Sequence, residues 1–213
     1  MGIGVVCVEV GNYCGRGDRY VRTLQYMIKK HLPEHNFYCI TDTKKDDIKC
    51  IDAHSELKGW WQKIYMFKPE LFDEERLIFF DLDTFIIKNI EGLANYKGDF
   101  AMLKDFWAPI PASGVMLWKN GNNIWKQYES EGLPQTNPYG DGGWLGERFK
   151  CDLLQEVYPA DYFVSYKTEC IKDVPKRAHV VCFHGEPRPH AAKGWPRDIW
   201  NRYKPIERNV RAD

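Results

Sequence analysis

The sequence carries no net charge: thirty Lys and Arg balance thirty Asp and Glu across 213 residues. That balance removes long-range attraction toward a polyanion such as DNA or an acidic membrane, so nucleic acid is not expected as a partner. No apolar run approaches the roughly 20 residues that span a bilayer, and the start lacks a signal peptide's basic flank and long apolar stretch. The usual myristoylation pattern is missing too, since Val6 stands where Ser or Thr is expected. No C-x-x-C pair occurs among Cys7, Cys14, Cys39, Cys50, Cys151, Cys170 and Cys182. An odd set of cysteines, largely within apolar stretches, fits a reducing compartment better than a disulfide framework. Internal repeats, low-complexity tracts and linkers are absent. The expectation is one compact cytoplasmic domain with no membrane span, residues 1–213, long enough to bury a sizeable core.

Aromatic residues are plentiful, with eight Trp and twelve Tyr, side chains that fill a core or lie flat against a base or sugar ring. Gly4 to Val10 is a short β-branched apolar run and reads as a buried strand. Asp18 is placed to cap a helix in which Tyr20, Leu24, Met27 and Ile28 recur at helical spacing until Pro33 ends it. Phe37 to Thr41 and Arg76 to Phe80 read as strands, and Trp61, Ile64, Tyr65 and Phe67 between them form a helical stripe stopped by Pro69. Further strands are predicted at Phe100 to Leu103, Ser113 to Trp118 and Ala178 to Phe183, with helices at Asn122 to Glu131 and Trp144 to Lys150. Strands alternating with helices define an α/β fold, a mostly parallel central sheet flanked by helices, whose ligands gather at the carboxyl ends of strands. From about Pro187 the chain is rich in Pro, Arg and Lys. This stretch is expected to lie over the surface or lead into a further domain beyond the C-terminus.

Asp81-Leu82-Asp83 directly follows the apolar run RLIFF, which places two carboxylates where a buried strand meets solvent. Both can reach one hard cation, and Mg²⁺ or Mn²⁺ so held leaves open positions for diphosphate oxygens. The spacing alone is common by chance, but a carboxylate pair beside a buried strand is costly without a partner. A calcium loop is excluded because Phe85 and Ile86 occupy the positions of further oxygen ligands and the turn glycine. A haloacid-dehalogenase-type phosphatase, with Asp81 as nucleophile, stays open. Such an enzyme wants a small β-branched residue where Phe85 stands.

His184-Gly185-Glu186-Pro187-Arg188-Pro189-His190 follows another apolar run, HVVCF. His184 offers a neutral imidazole as a third metal ligand, Gly185 lets the backbone approach a phosphate, and Arg188 adds a forked cation for oxyanions. The plainer reading is a proline-rich surface turn. Cys182 with His184 suggests zinc, but no second Cys/His pair supports it. Asp105 and Trp107, after the strand AMLK, are candidates for holding sugar hydroxyls, or else members of an ordinary turn.

In that order and separation, FFDLDTFI, ASGVMLW and FHGEPRPH resemble the three signatures of retaining nucleotide-sugar glycosyltransferases of the glycogenin and lipooligosaccharide galactosyltransferase type, family 8 of that class. The resemblance spans roughly Val5 to His190. It implies the glycosyltransferase A-type fold, with a nucleotide-binding half over about 1–105, an acceptor-facing half over about 106–190 and a C-terminal arm over 191–213. The short form is also similar to virus-encoded glycosyltransferase domains, which implies the host cytoplasm. The resemblance further implies Asp81, Asp83 and His184 as Mn²⁺ ligands, and Gly185 and Arg188 as phosphate contacts, with Arg188 replacing the usual lysine. Val10, Gly11, Asn12 and Tyr13, Lys63 and Leu82 fall in its donor-binding set, with Asn12 and Tyr13 holding uracil. Gly11 stands where an acidic residue is usual. Asp141 matches the acidic member of an aspartate-glutamine pair facing the donor sugar and acceptor, and Gly142 replaces its glutamine. Asp141, Asp105 and Arg188 are therefore the catalytic candidates. The implied reaction is metal-dependent transfer of a hexosyl or deoxyhexosyl group from a UDP-sugar to a hydroxyl of a glycan or glycoprotein. A nucleotide-sugar hydrolase and a non-catalytic glycan-binding module remain the alternatives.

Overall fold

The structure, a computed structural model, describes residues 2–203. The first run forms strand β1, Ile3–Glu9, and the RLIFF run forms β4, Arg76–Phe80. Between them lie helix α1 (Gly17–His31), strands β2 (Asn36–Thr41) and β3 (Lys49–Asp52), and helix α2 (Gln62–Tyr65). The chain continues through β5 (Thr84–Ile86), α3 (Glu91–Ala94), β6 (Phe100–Lys104), β7 (Pro111–Lys119), α4 (Ile124–Ser130) and α5 (Gly140–Arg148). Then come β8 (Asp152–Leu153), α6 (Leu154–Val157), β9 (Phe163–Ser165), α7 (Tyr166–Glu169), β10 (Val180–Cys182) and α8 (Trp195–Arg202).

Seven strands make the main sheet in the order β3-β2-β1-β4-β7-β6-β8. Only β7 runs against its neighbours β4 and β6; the other pairings are parallel, as the alternation of strands and helices implies. Both faces are buried. Val5 and Cys7 of β1 join one core with Ile78 and Phe80 of β4, while Val6 joins the other with Leu77 and Phe79. Burial on two sides is why these strands read as continuous apolar runs. β2 and β4 flank β1 on opposite sides, so the chain's connections diverge at the carboxyl end of β1, where an α/β sheet opens a crevice. Beside it a small sheet, β5-β10-β9, pairs β10 antiparallel to β5 and parallel to β9.

Three local expectations change. Asp18 lies within the first turn of α1, bound to Arg22, and is no cap; Asn12 Oδ1 instead accepts the Gly17 N–H at 2.9 Å, satisfying one of the helix's open donors from outside. The stripe from Trp61 to Phe67 breaks into a 3-10 turn (Gly59–Trp61), the short α2 and a second 3-10 turn (Pro69–Leu71), though Trp61, Ile64 and Phe67 are buried as expected. The stretch 191–203 is not loose surface. Ala192, Trp200 and Tyr203 enter the core, with Trp200 lying 4.6 Å from the Tyr20 ring and under the Arg19 guanidinium. The amphipathic α8 hides its apolar face behind the basic residues that suggested an exposed arm. Residues 204–213 of that arm lie outside the described residues.

Candidate active site

β4 ends at Phe80, and Asp81 and Asp83 follow at the crevice beside β1. The Asp81 N–H donates to the Gly114 carbonyl at 2.9 Å, so β7 fixes the turn. A Cβ on Gly114 would meet only ordinary contacts, Leu103 Cδ1 at 3.4 Å and Asp81 Oδ2 at 3.6 Å. Asp83 is 4% exposed and Asp81 less deeply set. Lys63 of α2 reaches Asp81 Oδ1 at 2.7 Å, and the Arg188 guanidinium pairs with Asp83 Oδ2. Burial and Asp81 push the Asp83 carboxyl up to about 6 against the opposing pull of Arg188 and Tyr13. Burial likewise raises Asp81, with Lys63 opposing and Asp141 adding to the rise.

Asp141 sits in the first turn of α5 and makes no cap; that helix starts at Gly140, ahead of the expected Trp144. Gly142 makes this possible, because a Cβ there would meet the Ser113 backbone nitrogen at 3.2 Å and hold the helix away from β7. The Asp141 side chain faces Lys63, with Oδ2 4.0 Å from the ammonium, and Ser113 Oγ stands 3.4 Å from the same ammonium. Burial pulls the Lys63 ammonium down, but Asp141 and Asp81 outweigh it and hold the group above its ordinary range.

β10 carries the third candidate ligand to the aspartates. The Phe183 N–H donates to the Asp83 carbonyl at 3.2 Å, so His184 emerges at the same crevice. Its ring is sandwiched: Phe106 stacks at 5.4 Å, Trp107 stands edge-on at 4.4 Å, and Nε2 is 2.6 Å from Ser165 Oγ. Burial and Lys167 hold the imidazole below its ordinary pKa, in the neutral form a ligand needs. Asp105 Oδ1 accepts the N–H groups of Trp107 and Ala108, so this oxygen builds a turn, and Trp107 is left 67% exposed at the rim.

On the β1 side, Gly11 and Asn12 both take positive φ, and Gly11 N–H donates to Asp42 Oδ2. Asn12 spends its carbonyl oxygen on Gly17, so it shapes the loop. Tyr13 points inward, donating to Asp83 Oδ2 at 3.1 Å with Arg188 5.5 Å over its ring. Beneath the loop is Glu9, 2% exposed, which accepts from the Tyr13 N–H, Thr41 Oγ1 and Lys45 Nζ. Sequence reasoning passed over Glu9, although a carboxylate at the end of a buried strand is the very signal that marked Asp81. Nothing local announces Ser165.

Two cavities meet at this wall. One, about 400 Å³, is lined by Val10, Tyr13, Trp60, Lys63, Leu82 and Arg188; the other, about 280 Å³, by Asp105, Phe106, Ser113, Gly114, Tyr139 and Gly142. Asp81, Asp83, Phe183 and His184 border both. Gly185 borders the first, whereas Gly11, Asn12 and Asp141 line neither. Among the described residues, no three of His, Cys, Asp and Glu stand gathered as a ready metal cage. Asp81, Asp83 and His184, all on the wall of one cavity, nonetheless offer the oxygen and nitrogen donors a hard divalent cation takes, and the neighbouring Asp141 brings the carboxylates to three against two cations, Lys63 and Arg188. Asp141 Oδ2 is moreover buried without a hydrogen bond. The candidate ligands are engaged by Lys63, Arg188 and Ser165, partners that a metal would have to displace.

The seven-stranded sheet with the small sheet beside it is the glycosyltransferase A-type fold, as its likeness to solved glycosyltransferases shows. No family model matches the chain, and no curated protein matches it in sequence. Solved structures do match. The galactosyltransferase LgtC, determined in complex with donor and acceptor sugar analogs, aligns with a TM-score of 0.68 at 13% identity over 94% of each chain. An active-site mutant of LgtC aligns at 0.69 with 11% identity over the same shares. The glycosyltransferase GlyE of Streptococcus pneumoniae TIGR4 aligns at 0.68 with 16% identity, over 95% of this chain and 60% of GlyE. Among the described residues no helix is long and apolar enough to cross a membrane.

Proposed function

We propose that the chain is a metal-dependent glycosyltransferase that moves a hexosyl or deoxyhexosyl group from a UDP-sugar to a hydroxyl of a glycan or glycoprotein acceptor. The observation that carries this reading is the pair of cavities sharing the Asp81–Asp83–His184 wall. A transferase needs two substrates to meet at one reacting centre, whereas a phosphatase or hydrolase needs only water in the second place. The first cavity suits the donor, with Tyr13 offering a ring face to uracil and Arg188 and Gly185 serving the diphosphate. The second suits the acceptor, with Asp105 at its wall and Tyr139 at its mouth. Residues 1–105 thus serve mainly the donor and 106–190 the acceptor, with Phe183 and His184 bordering both cavities and Gly185 and Arg188 the donor's.

Asp81, Asp83 and His184 would hold Mn²⁺ or Mg²⁺, which when bound neutralises charge on a departing diphosphate. Arg188 adds a fixed positive charge from the protein, and the wall of Phe183 and Leu82 keeps water from the reacting atoms. Retention by same-face attack, guided by a diphosphate oxygen, is carried over from the family the motifs resemble.

The test is UDP release from a set of UDP-hexoses and UDP-deoxyhexoses with Mn²⁺, with and without chelator and with and without mixed glycan acceptors. The expected result is release that needs metal and rises with acceptor, and that Asp83→Asn and His184→Ala reduce at least tenfold, about 1.4 kcal/mol of transition-state stabilisation. Phosphate release without acceptor would favour a phosphatase. Donor binding without turnover in any mixture would favour a binding module.

A further inference from the structure

We infer that Lys63 exchanges between two carboxylates, holding Asp81 before a divalent cation arrives and Asp141 once it is bound. The inference rests on the metal-dependent reading of this site and adds a positioning pair to it. Lys63 Nζ lies 2.7 Å from Asp81 Oδ1 and 4.0 Å from Asp141 Oδ2, with Ser113 Oγ at 3.4 Å. One ammonium therefore serves two carboxylates and makes close contact with only one.

The other is anomalous as it stands. Asp141 is 4% exposed, and its Oδ2 is buried with no hydrogen bond. A buried carboxylate oxygen without a partner is costly, and Asp141 does not recover that cost by capping α5, where no side-chain cap bond forms. Its vacant acceptor points toward the ammonium that a metal at Asp81 would repel. A shift of little more than an ångström along the flexible lysine stem would bring Nζ into contact with Asp141, and the Ser113 hydroxyl lies within reach of the path.

Exchange spares Lys63 two unfavourable outcomes, which are to remain beside a divalent cation or to stand as an unpaired buried charge. It also gives Asp141 a role that needs no contact with metal, donor or acceptor: by receiving Lys63 it releases Asp81 as a ligand. Arg188 has an analogous destination, since leaving Asp83 places its guanidinium in the cavity assigned to the diphosphate.

The experiment is a double-mutant cycle read by calorimetric Mn²⁺ titration without donor, on wild type, Lys63→Met, Asp141→Asn and the double variant. Removing one charge near a cation site changes affinity through space in any case, so the diagnostic is non-additivity. Exchange requires that Asp141→Asn weaken Mn²⁺ binding about tenfold while Lys63 is present and no more than about twofold in the Lys63→Met background. The same factor in both backgrounds overturns the exchange and leaves the metal reading intact. Failure of wild type to bind Mn²⁺ overturns both. Melting curves in chelator check that each variant is folded, and Lys63→Gln replaces Lys63→Met in the cycle if the latter is not.

Discussion

The Tyr13 hydroxyl donates to Asp83 Oδ2 at 3.1 Å across 70 residues of sequence, and the Arg188 guanidinium, stacked over the Tyr13 ring, pairs with the same oxygen. The loop after β1, the turn after β4 and the segment after β10 are thereby joined at one carboxylate. Any change at one of the three is felt by the others.

Tyr13→Phe removes the hydroxyl but keeps the ring, and Tyr13→Ala removes both. If the ring carries nucleoside binding, the Phe variant keeps UDP affinity within about threefold, whereas the Ala variant loses at least about tenfold, the range expected for loss of one stacking surface. Calorimetric UDP titration at saturating Mn²⁺ checks this. Equal losses would assign the affinity to the hydroxyl bond and not to the ring.

Asn12 is expected to act through the loop and not through the base. Asn12→Asp keeps the oxygen that accepts the Gly17 N–H and should leave the protein close to wild type. Asn12→Ala loses that bond and puts Ala at φ 53°, costing about 1–2 kcal/mol. Thermal unfolding should show a fall of about 2–4 °C per kcal/mol for a chain of this size. A selective loss of UDP over GDP affinity with unchanged melting would instead return Asn12 to base recognition.

The buried pair Glu9–Lys45, 3.0 Å apart, supports the same loop. Lys45→Met leaves an uncompensated carboxylate and should cost about 3–5 kcal/mol in urea unfolding. The double change Glu9→Gln with Lys45→Met should recover most of it, because the desolvation of two charges disappears together. No recovery would show that the hydrogen bonds of Glu9 to Tyr13 and Thr41 outweigh the ion pair.

Two histidines far from the site each make a contribution to stability that acid removes. Burial, with Lys29 adding to it, holds His35 below its ordinary value of 6.5 despite its bond to the Leu32 carbonyl; burial, then Lys30, does the same for His31. The unfolded chain then binds more protons near pH 6, so this contribution is full above the unfolded pKa and is lost as pH falls through the lower folded value. The Asp83 carboxyl, raised to about 6, takes up a proton in the same window with the opposite sign, so the readout is the difference between variants: from about pH 7 to pH 5 the melting temperature of His35→Gln should fall less than that of wild type. An identical drop in both would place the acid sensitivity elsewhere.

Much of the architecture was open to reading before the structure. β1 and β4 announce themselves because a strand buried on both faces must be apolar at every position, and the carboxylates that end RLIFF then have to lie at the edge of the core. The antiparallel β7 was legible as a strand but not in direction, and β3, β5, β8 and β9 were missed, since strands of two to four residues carry too little pattern. α8 was hidden by its own charge, its Trp200 outweighed by the basic residues around it.

The sequence by itself determined the α/β class and the strand ends that bear Asp81, Asp83 and His184. These follow from local apolar patterning, which is a property of neighbouring residues. The pairing of Lys63 with Asp81 and of Arg188 with Asp83, the capture of His184 by Ser165 and the orphaned oxygen of Asp141 belong to the tertiary structure. With thirty cations and thirty carboxylates in the chain, charge alone selects no pair. The order of strands selects them, by setting the ends of β1, β4 and β10 side by side, and burial then makes each close contact consequential by removing the water that would otherwise screen it.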